Sequence, residues 1–240
     1  MAGFQGKDTG GDKLTYVVVI PTRETVRTAL LKSVRNQTLP PALILVADKK
    51  FSLEMPLGER IGKAINLELS KVGLEKFDYL VRFDDDLTPL PSDFMEQNLK
   101  LDADLIGDRF GHAQIIKVKP FLKYLGGKWP EVQAEDSYII MTFRVHGLKI
   151  SPHRIEAERS YRKHDRRYYL ENGKARYRFG NRFLRLFLSF RDKIGGEYVF
   201  FNFVYVIAGY LLALLSRTEK HWFAEHARKA QSRLIFIGSN

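Results

Sequence analysis

Three consecutive aspartates, Asp84 to Asp86, are the residues of this chain best suited to chemistry. They follow the mostly apolar run 79–83, which predicts a buried strand that ends at the acids. Three adjacent carboxylates repel one another, so a fold that gathers them at a strand end needs a compensating cation. Oxygen ligands of this kind suit Mg²⁺ or Mn²⁺, which commonly bridge carboxylates to substrate phosphates. A solvated acidic turn is the alternative that the triplet alone leaves open.

The chain on either side of the acids alternates predicted strands and helices. Residues 16–20 and 43–47 are continuous apolar runs, typical of central parallel strands that are covered on both faces. Helical spacing of apolar residues predicts helices over 25–36, 60–72 and 92–101. This βαβ series predicts a parallel sheet with right-handed crossovers.

In such sheets ligands bind beyond the carboxyl ends of the strands. The predicted ends are Pro21-Thr22-Arg23, Asp48 and the aspartate triplet, so three polar strand ends converge on one edge. Further along, residues 114–118 favour a strand, and 135–145 favour a helix that opens with Glu135 and Asp136. Two acids are also favourable at a helix N-terminus for electrostatic reasons alone.

Composition limits the class of protein. With 240 residues and 45% hydrophobic content, the chain is long enough for one large domain or a domain with an appendage. There is no cysteine, which excludes disulfides and thiolate metal sites and fits a cytosolic or cytosol-facing protein. Residues 1–14 are polar and glycine-rich without the apolar core of a signal peptide, and predict a flexible lead-in. No H-E-x-x-H, Walker or serine-hydrolase pattern is present.

Charge is distributed unevenly along the chain. Residues 144–240 hold 20 Lys and Arg against 8 Asp and Glu, whereas residues 1–143 hold 19 against 20. A basic half of this kind indicates a polyanionic partner, either nucleic acid, acidic phospholipid or a phosphorylated substrate. A solvated basic surface is the alternative. Arg166 and Arg167 are candidates for contacts to a diphosphate, or else part of such a surface.

The C-terminal region combines basic, aromatic and apolar residues. Residues 174–193 interleave arginine with Tyr, Phe and Leu, which predicts an amphipathic helix at a membrane surface. Residues 198–215 carry no charge, and as a helix they would extend ~27 Å, close to the ~30 Å bilayer core. We expect membrane association through 174–215. A spanning helix, an interfacial hairpin, a core helix and a homodimer contact all remain open. No nucleic-acid-binding motif accompanies the arginines, so no nucleic acid is expected.

Several segments stand in the order found in one enzyme family. With these segments the chain resembles the family 2 glycosyltransferases of the GT-A fold, which are inverting enzymes that use nucleotide-sugars. The resemblance covers about residues 15–150. The segments that carry it are 17–24 (VVVIPTRE), 33–41 (SVRNQTLPP), 43–48 (LILVAD), 62–66 (GKAIN), 77–91 (FDYLVRFDDDLTPLP) and 134–150 (AEDSYIIMTFRVHGLKI).

The resemblance implies roles for individual residues. Asp84 and Asp86 correspond to the outer acids of the family's DxD motif, with Asp86 the direct ligand of Mg²⁺ or Mn²⁺. Asp136 corresponds to the acid of the ED motif, the family's proposed catalytic base. The residues implied in binding the donor, a UDP- or GDP-sugar, are Pro21, Thr22, Arg23, Asp48, Lys63, Asp84 and Asp85.

The chain also departs from the family pattern. The acidic-small pair after the second strand is replaced by Asp48-Lys49-Lys50. The family's A-R-N-x-G is 64–68 here, without its Arg and Gly. The stretch from Asp86 to Glu135 is short, which reduces the wall on the acceptor side. These differences bear on the identity of the donor more than on the fold.

The sequence therefore predicts an α/β protein of GT-A type, a Rossmann-like, mostly parallel sheet flanked by helices, with a basic, apolar helical extension. The expected function is metal-assisted, inverting transfer of a sugar to a lipid-linked or glycan hydroxyl in polysaccharide biosynthesis, at the cytoplasmic face of the cell membrane. A GT-A-like nucleotidyltransferase and a non-catalytic basic adaptor for membrane or RNA are the alternatives. The expected division is 1–14 flexible, 15–150 catalytic, 151–193 basic and aromatic, and 194–240 apolar helix and basic tail.

Overall fold

The computed structural model describes residues 14–22, 25–107, 112–158, 160, 165–183, 186 and 200–229. The predicted flexible segment 1–14, apart from Leu14, and Arg23 therefore lie outside the described residues. The strands are β1 Tyr16–Pro21, β2 Leu43–Ala47, β3 Tyr79–Phe83, β4 Leu105–Ile106, β5 Ala113–Lys117 and β6 Ile150–Ser151. The helices are α1 Thr28–Arg35, α2 Leu57–Leu69, α3 Phe94–Leu99, α4 Val118–Leu125, α5 Glu135–Val145, α6 Arg166–Arg178 and α7 Phe200–Leu215, with a 3₁₀ turn at Leu74–Lys76 and a short helix at 224–229.

The six strands form one sheet in the order β2-β1-β3-β5-β4-β6. β1 pairs in parallel with both β2 and β3, whereas β5 is antiparallel to β3 and β4, and β4 pairs in parallel with β6. Five strands thus share one direction and β5 opposes them. The predicted α/β class, a mostly parallel sheet flanked by helices, is confirmed.

Helices cover both faces of the sheet, which explains why β1 is apolar throughout. Val18 and Val81 belong to a core shared with α1 and α3, while Val17 and Leu80 belong to a core shared with α2, α4 and α5. All six residues of β1 are buried. A strand buried on both faces must place apolar side chains at every position, so alternation is absent.

The prediction of one helix over 174–193 is wrong at 179–182, where the chain is not helical, although residues 183 and 186 are helical. α6 begins eight residues earlier, at Arg166, where the side chain of Asp165 accepts a hydrogen bond from the Tyr168 amide. It ends at Arg178, and Gly180 follows with φ of 76°. Glycine in this left-handed conformation is a common helix terminator. Of the remainder, residues 184–185 and 187–193 lie outside the described residues.

α6 and α7 pack against each other over a small aromatic core. Tyr169, Tyr177, Phe203 and Tyr210 are buried there. Gly173 of α6 and Gly209 of α7 allow the helices to approach closely. The apolar stretch is therefore in part a core helix, one of the alternatives left open by the sequence. Within the portion of the chain that the structure describes, no helix has both the length and the apolar character needed to cross a membrane.

We expect Gly209→Ala to lower the free energy of unfolding by about 1–3 kcal/mol, as for other overpacked interiors. A methyl group at this position would collide with the backbone carbonyl of Leu170, which cannot move without displacing α6. Urea denaturation followed by circular dichroism measures the change. Leu212→Ala, on the exposed side of the same helix, should stay within about 0.5 kcal/mol of the wild type. Equal midpoints for the two variants would contradict the close packing.

Candidate active site

The carboxyl ends of the three parallel strands meet at one edge of the sheet. Pro21 pairs with Ala47, and the amide of Thr22 donates to the Ala47 carbonyl at 3.0 Å. On the other side, the Thr22 hydroxyl donates to Oδ2 of Asp85 at 2.9 Å. Asp48 follows directly after β2 and is exposed. Four residues predicted to bind the donor thus lie at adjacent strand ends.

The aspartate triplet forms a turn that is fixed from two sides. The Asp84 amide donates to the His112 carbonyl at 2.8 Å. The carbonyl of Asp86 accepts hydrogen bonds from both the amide and the hydroxyl of Ser160, each at 2.9 Å. Asp86 is only 8% exposed, and its Oδ1 is buried without a hydrogen-bond partner among the residues that the structure describes. A buried carboxylate oxygen in this state is costly unless a ligand satisfies it.

A buried arginine on β3 lies beneath the acids. Arg82 is 3% exposed, and its Nη2 donates to Oδ1 of Asp84 at 2.6 Å. Its Nη1 is 2.9 Å from Oε1 of Glu135, the first residue of α5. Its guanidinium carbon lies 5.7 Å from the ring centroid of Trp129. Arg82 therefore joins the strand that precedes the aspartate triplet to the first turn of α5.

The site carries more negative charge than Arg82 neutralises. Burial raises the pKa of Asp84 to about 6, with the nearby charges of Asp86 and Asp136 adding to the rise and Arg82 opposing it. Burial likewise raises the pKa of Glu135 to about 8, again against the effect of Arg82. Burial lowers the pKa of Arg82, but its acidic neighbours raise it by more, so the guanidinium stays charged.

The two acids of the ED motif point in different directions. Glu135 is 4% exposed and turns inward to Arg82. Asp136 is half-buried, and its Oδ1 accepts from the amide of Ser137 at 2.7 Å. Arg82 contacts both Asp84 and Glu135, which brings the start of α5 next to the aspartate triplet, and the charge of Asp136 helps to raise the pKa of Asp84. Glu135 is thus buried against Arg82, and Asp136 is the more exposed acid of the pair.

The residues present fit a divalent cation. Over the described ranges, no group of three or more His, Cys, Asp or Glu side chains is arranged to hold a metal ion. Asp84 and Asp86 supply two carboxylates, the orphaned Oδ1 of Asp86 among their oxygens. Mg²⁺ is usually bound through one or two carboxylates together with substrate phosphates. This acidic pair suits a cation whose coordination a diphosphate completes.

Three other residues that were predicted to contact the donor or its diphosphate have partners away from the acidic residues. Lys63 lies on α2 and forms an ion pair with Glu59, at 3.2 Å between Nζ and Oε1. Arg166, exposed at the start of α6, has its guanidinium carbon 5.7 Å from the ring centroid of Tyr205. Arg167 donates to the carbonyl of Glu54 in the loop after β2. None of these contacts joins the acidic cluster.

Sequence reasoning missed Arg82 and Asn66. The amide side chain of Asn66 donates to the Trp129 carbonyl at 2.9 Å and accepts from the Trp129 amide at 2.6 Å, so it fixes the loop that leads to α5. The signal for Arg82 was present, because a single cation inside an apolar strand must find a buried partner. Nothing in the spacing showed which acid that partner would be.

Comparisons with known proteins give likenesses in structure only. No family model matches the chain, and no curated protein matches its sequence. One similar structure is a mannosyltransferase of Pyrobaculum calidifontis, solved with GDP-Man and Mn²⁺. It is 14% identical with a TM-score of 0.49, and the alignment covers 94% of this chain and 76% of the mannosyltransferase chain. A cytidylyltransferase of Leptospira borgpetersenii has 10% identity and a TM-score of 0.43, covering 66% and 86%. A197 from STIV has 17% identity and a TM-score of 0.41, covering 62% and 87%. At these values the likenesses assign no activity, which must be inferred from the residues of this chain.

Proposed function

We propose that this protein is an inverting glycosyltransferase of family 2 type, which moves a sugar from a UDP- or GDP-sugar to a hydroxyl group with the assistance of Mg²⁺ or Mn²⁺. The observation that carries the proposal is the acidic edge of the sheet. There the orphaned Oδ1 of Asp86 and the half-buried Asp136 belong to one cluster beside Thr22. Acids whose pKa values are raised by burial and by neighbouring acids, as at Asp84 and Glu135, are enriched at functional sites.

The chemistry follows from these groups. Asp84 and Asp86 would hold the cation, which supplies Lewis-acid stabilisation of the departing diphosphate. Asp136 would accept the proton of the acceptor hydroxyl as its oxygen bonds to the anomeric carbon. The bond from that carbon to the diphosphate breaks on the opposite face, and its electron pair leaves with the nucleoside diphosphate. One displacement of this kind inverts the anomeric configuration.

The proposed donor site occupies the ends of β1 and β2. Pro21, Thr22 and Arg23 would line the nucleotide pocket, and Asp48 would face the base. Asp85 supports this arrangement through its hydrogen bond with Thr22, which links the nucleotide side to the metal side. Lys63, Arg166 and Arg167 would have to leave their present partners to reach a donor.

A panel of ligands tests the proposal against its rivals. Thermal unfolding is recorded with UDP, GDP, their sugars, and nucleoside triphosphates, each with and without Mn²⁺. We expect stabilisation by a diphosphate nucleotide or its sugar, dependent on the metal. Preference for a triphosphate together with a sugar phosphate, with release of pyrophosphate, would favour the nucleotidyltransferase. No stabilisation by any nucleotide would favour the non-catalytic adaptor.

We further propose that the acceptor is lipid-linked and that the protein binds the cytoplasmic face of the membrane through α7. One side of α7 packs on α6, while Val204, Leu211, Leu212, Leu214 and Leu215 are exposed. Basic residues Arg217 and Lys220 follow, and Trp222 is 56% exposed. An apolar helix face with basic residues and tryptophan beside it suits an interface with anionic lipid.

Vesicle flotation checks this surface. Replacing Leu211, Leu212 and Leu215 together by serine should weaken binding to phosphatidylserine-containing vesicles at least about tenfold, since each buried methylene contributes about 0.8 kcal/mol. Leu53→Ser with Leu67→Ser is the matched control, because both leucines are exposed on the catalytic part. Equal recovery of both variants with the vesicles would contradict the proposal. Loss of a concentration-dependent dimer instead would show that a second copy covers α7.

A further inference from the structure

Two polar side chains lie inside the sheet directly opposite each other. Arg82 of β3 pairs in register with Gln114 of β5, and both are buried, with exposed fractions of 3% and 0%. Residues directly opposite on antiparallel strands project from the same face of the sheet. The remaining sheet residues around them are apolar. Arg82 and Gln114 are therefore an isolated polar pair on this face of the sheet, called the polar platform below.

Both members of the platform contact the first turn of α5. Arg82 Nη1 lies 2.9 Å from Oε1 of Glu135, and Gln114 Nε2 donates to the backbone carbonyl of Asp136 at 3.4 Å. The other nitrogen of the Arg82 fork donates to Asp84 at 2.6 Å. One guanidinium therefore connects an acid of the proposed metal site to the residue next to the proposed base.

This turn has little local support of its own. No side chain caps the N-terminus of α5, and Ala134, which precedes it, has a φ of 60°, a strained value for a residue with a Cβ. Glu135 is also confined from the side of α2, since a methyl group on Gly58 would stand 2.7 Å from its Oε2. The position of the turn thus depends on contacts to the sheet and to α2, where the Gly58 amide donates to Oε1 of Gln133 at 3.0 Å.

We propose that Arg82 is a positioning residue that sets where Asp136 stands relative to Asp84 and Asp86. This inference rests on the proposed glycosyl transfer. The planar guanidinium is a rigid fork in which Nη2 donates to Asp84 and Nη1 forms an ion pair with Glu135, so it holds two carboxylates at a defined separation. Lysine keeps the charge but offers a single ammonium, which cannot reproduce that fork. Displacement of a reacting group by about 1 Å can cost on the order of 10²-fold in rate.

Arg82→Lys is the test, with Glu135→Gln opening the same contact from the other side. We expect kcat for transfer to fall about 10–100-fold in each variant, as for other supporting residues. In Glu135→Gln the donor KM and the half-saturating Mn²⁺ concentration should change less than about threefold, because this variant keeps the hydrogen bond from Arg82 to Asp84 and leaves Asp86 and the strand ends of β1 and β2 untouched. The double variant should lose no more than the worse single variant, since both remove one interaction.

Amide hydrogen exchange of the intact protein gives a readout that does not depend on activity. Peptides that span 133–140 should exchange faster in Arg82→Lys, and peptides that span 16–22 should not. Lys117→Met is the control, because Lys117 is a cation at the opposite end of the β3–β5 pair and forms its ion pairs with Asp102 and Asp104. It should change neither kcat nor exchange at 133–140.

Three results would overturn the inference. Unchanged kcat in both variants would show that the ion pair is structural only. A loss of Mn²⁺ affinity equal to the loss of kcat would place the role of Arg82 in metal binding. Unchanged exchange at 133–140 would show that Arg82 does not hold the turn.

If Arg82→Lys does not fold, the same three measurements on Glu135→Gln test the inference. Absence of transfer by the wild type would refute the proposed function. The exchange measurements would still show whether Arg82 holds the first turn of α5.

Discussion

Replacing Asp136 by asparagine should lower kcat for sugar transfer by about 10²–10⁴-fold, the usual contribution of a positioned general base. Asparagine keeps the size of the side chain but cannot accept the proton of the acceptor hydroxyl. The donor KM should stay within a few-fold of the wild type, because Asp136 lies on α5 and not at the strand ends that face the donor. Initial rates at saturating donor and acceptor measure the effect.

The alternative for Asp136 is a helix-dipole role, worth about 0.3–1 kcal/mol of stability without an effect on rate. Asp93→Asn is the matched control, since Asp93 occupies the N-cap position of α3 without a side-chain capping bond. It should leave transfer unchanged. Full activity in Asp136→Asn, with only a small loss of stability, would remove the catalytic role.

The second large effect is expected at Asp86. Asp86→Asn should abolish the stabilisation of the protein by Mn²⁺ with a nucleoside diphosphate, and with it transfer. In the absence of ligands the same variant should be more stable than the wild type. Its buried Oδ1 has no hydrogen-bond partner in the described part of the chain, and its charge raises the pKa of Asp84, so removing that charge relieves repulsion. A gain of about 1 kcal/mol corresponds to a rise in Tm of about 2–4 °C.

Differential scanning fluorimetry with and without Mn²⁺ and nucleotide separates the two effects. A gain in stability without ligands, coupled to loss of the response to metal, is typical of a residue retained for function at the expense of stability. Asp93→Asn again serves as the control and should show neither change. A lower Tm without ligands, combined with an intact response to Mn²⁺, would contradict the assignment of Asp86 as a ligand.

The parallel part of the fold was predictable because burial leaves a direct mark on sequence. Strands β1 and β3 are covered on both faces, and their apolar runs end where the polar residues begin. Parallel pairing then brings the residues after each strand to one edge, as Thr22 and Asp85 demonstrate. The convergence of the candidate site residues on this edge followed from topology alone.

Contacts that depend on the antiparallel strand were not predictable. β5 lies between β3 and β4, although it follows both in sequence, so the pairing of Arg82 with Gln114 leaves no local pattern. The start of α6 at Arg166 was missed because the segment around it is basic and aromatic rather than amphipathic. Its end could have been found from Gly180, whose positive φ terminates the helix.

The most direct test of the proposed function is release of nucleoside diphosphate from a panel of UDP- and GDP-sugars, measured with Mn²⁺, with EDTA, and for Asp86→Asn. We predict release from at least one donor, dependent on the metal and absent in Asp86→Asn. Analysis of the product with a hydroxyl acceptor should show inverted anomeric configuration. Release that is unaffected by both EDTA and the substitution, or no release from any donor, would contradict a metal-assisted glycosyltransferase.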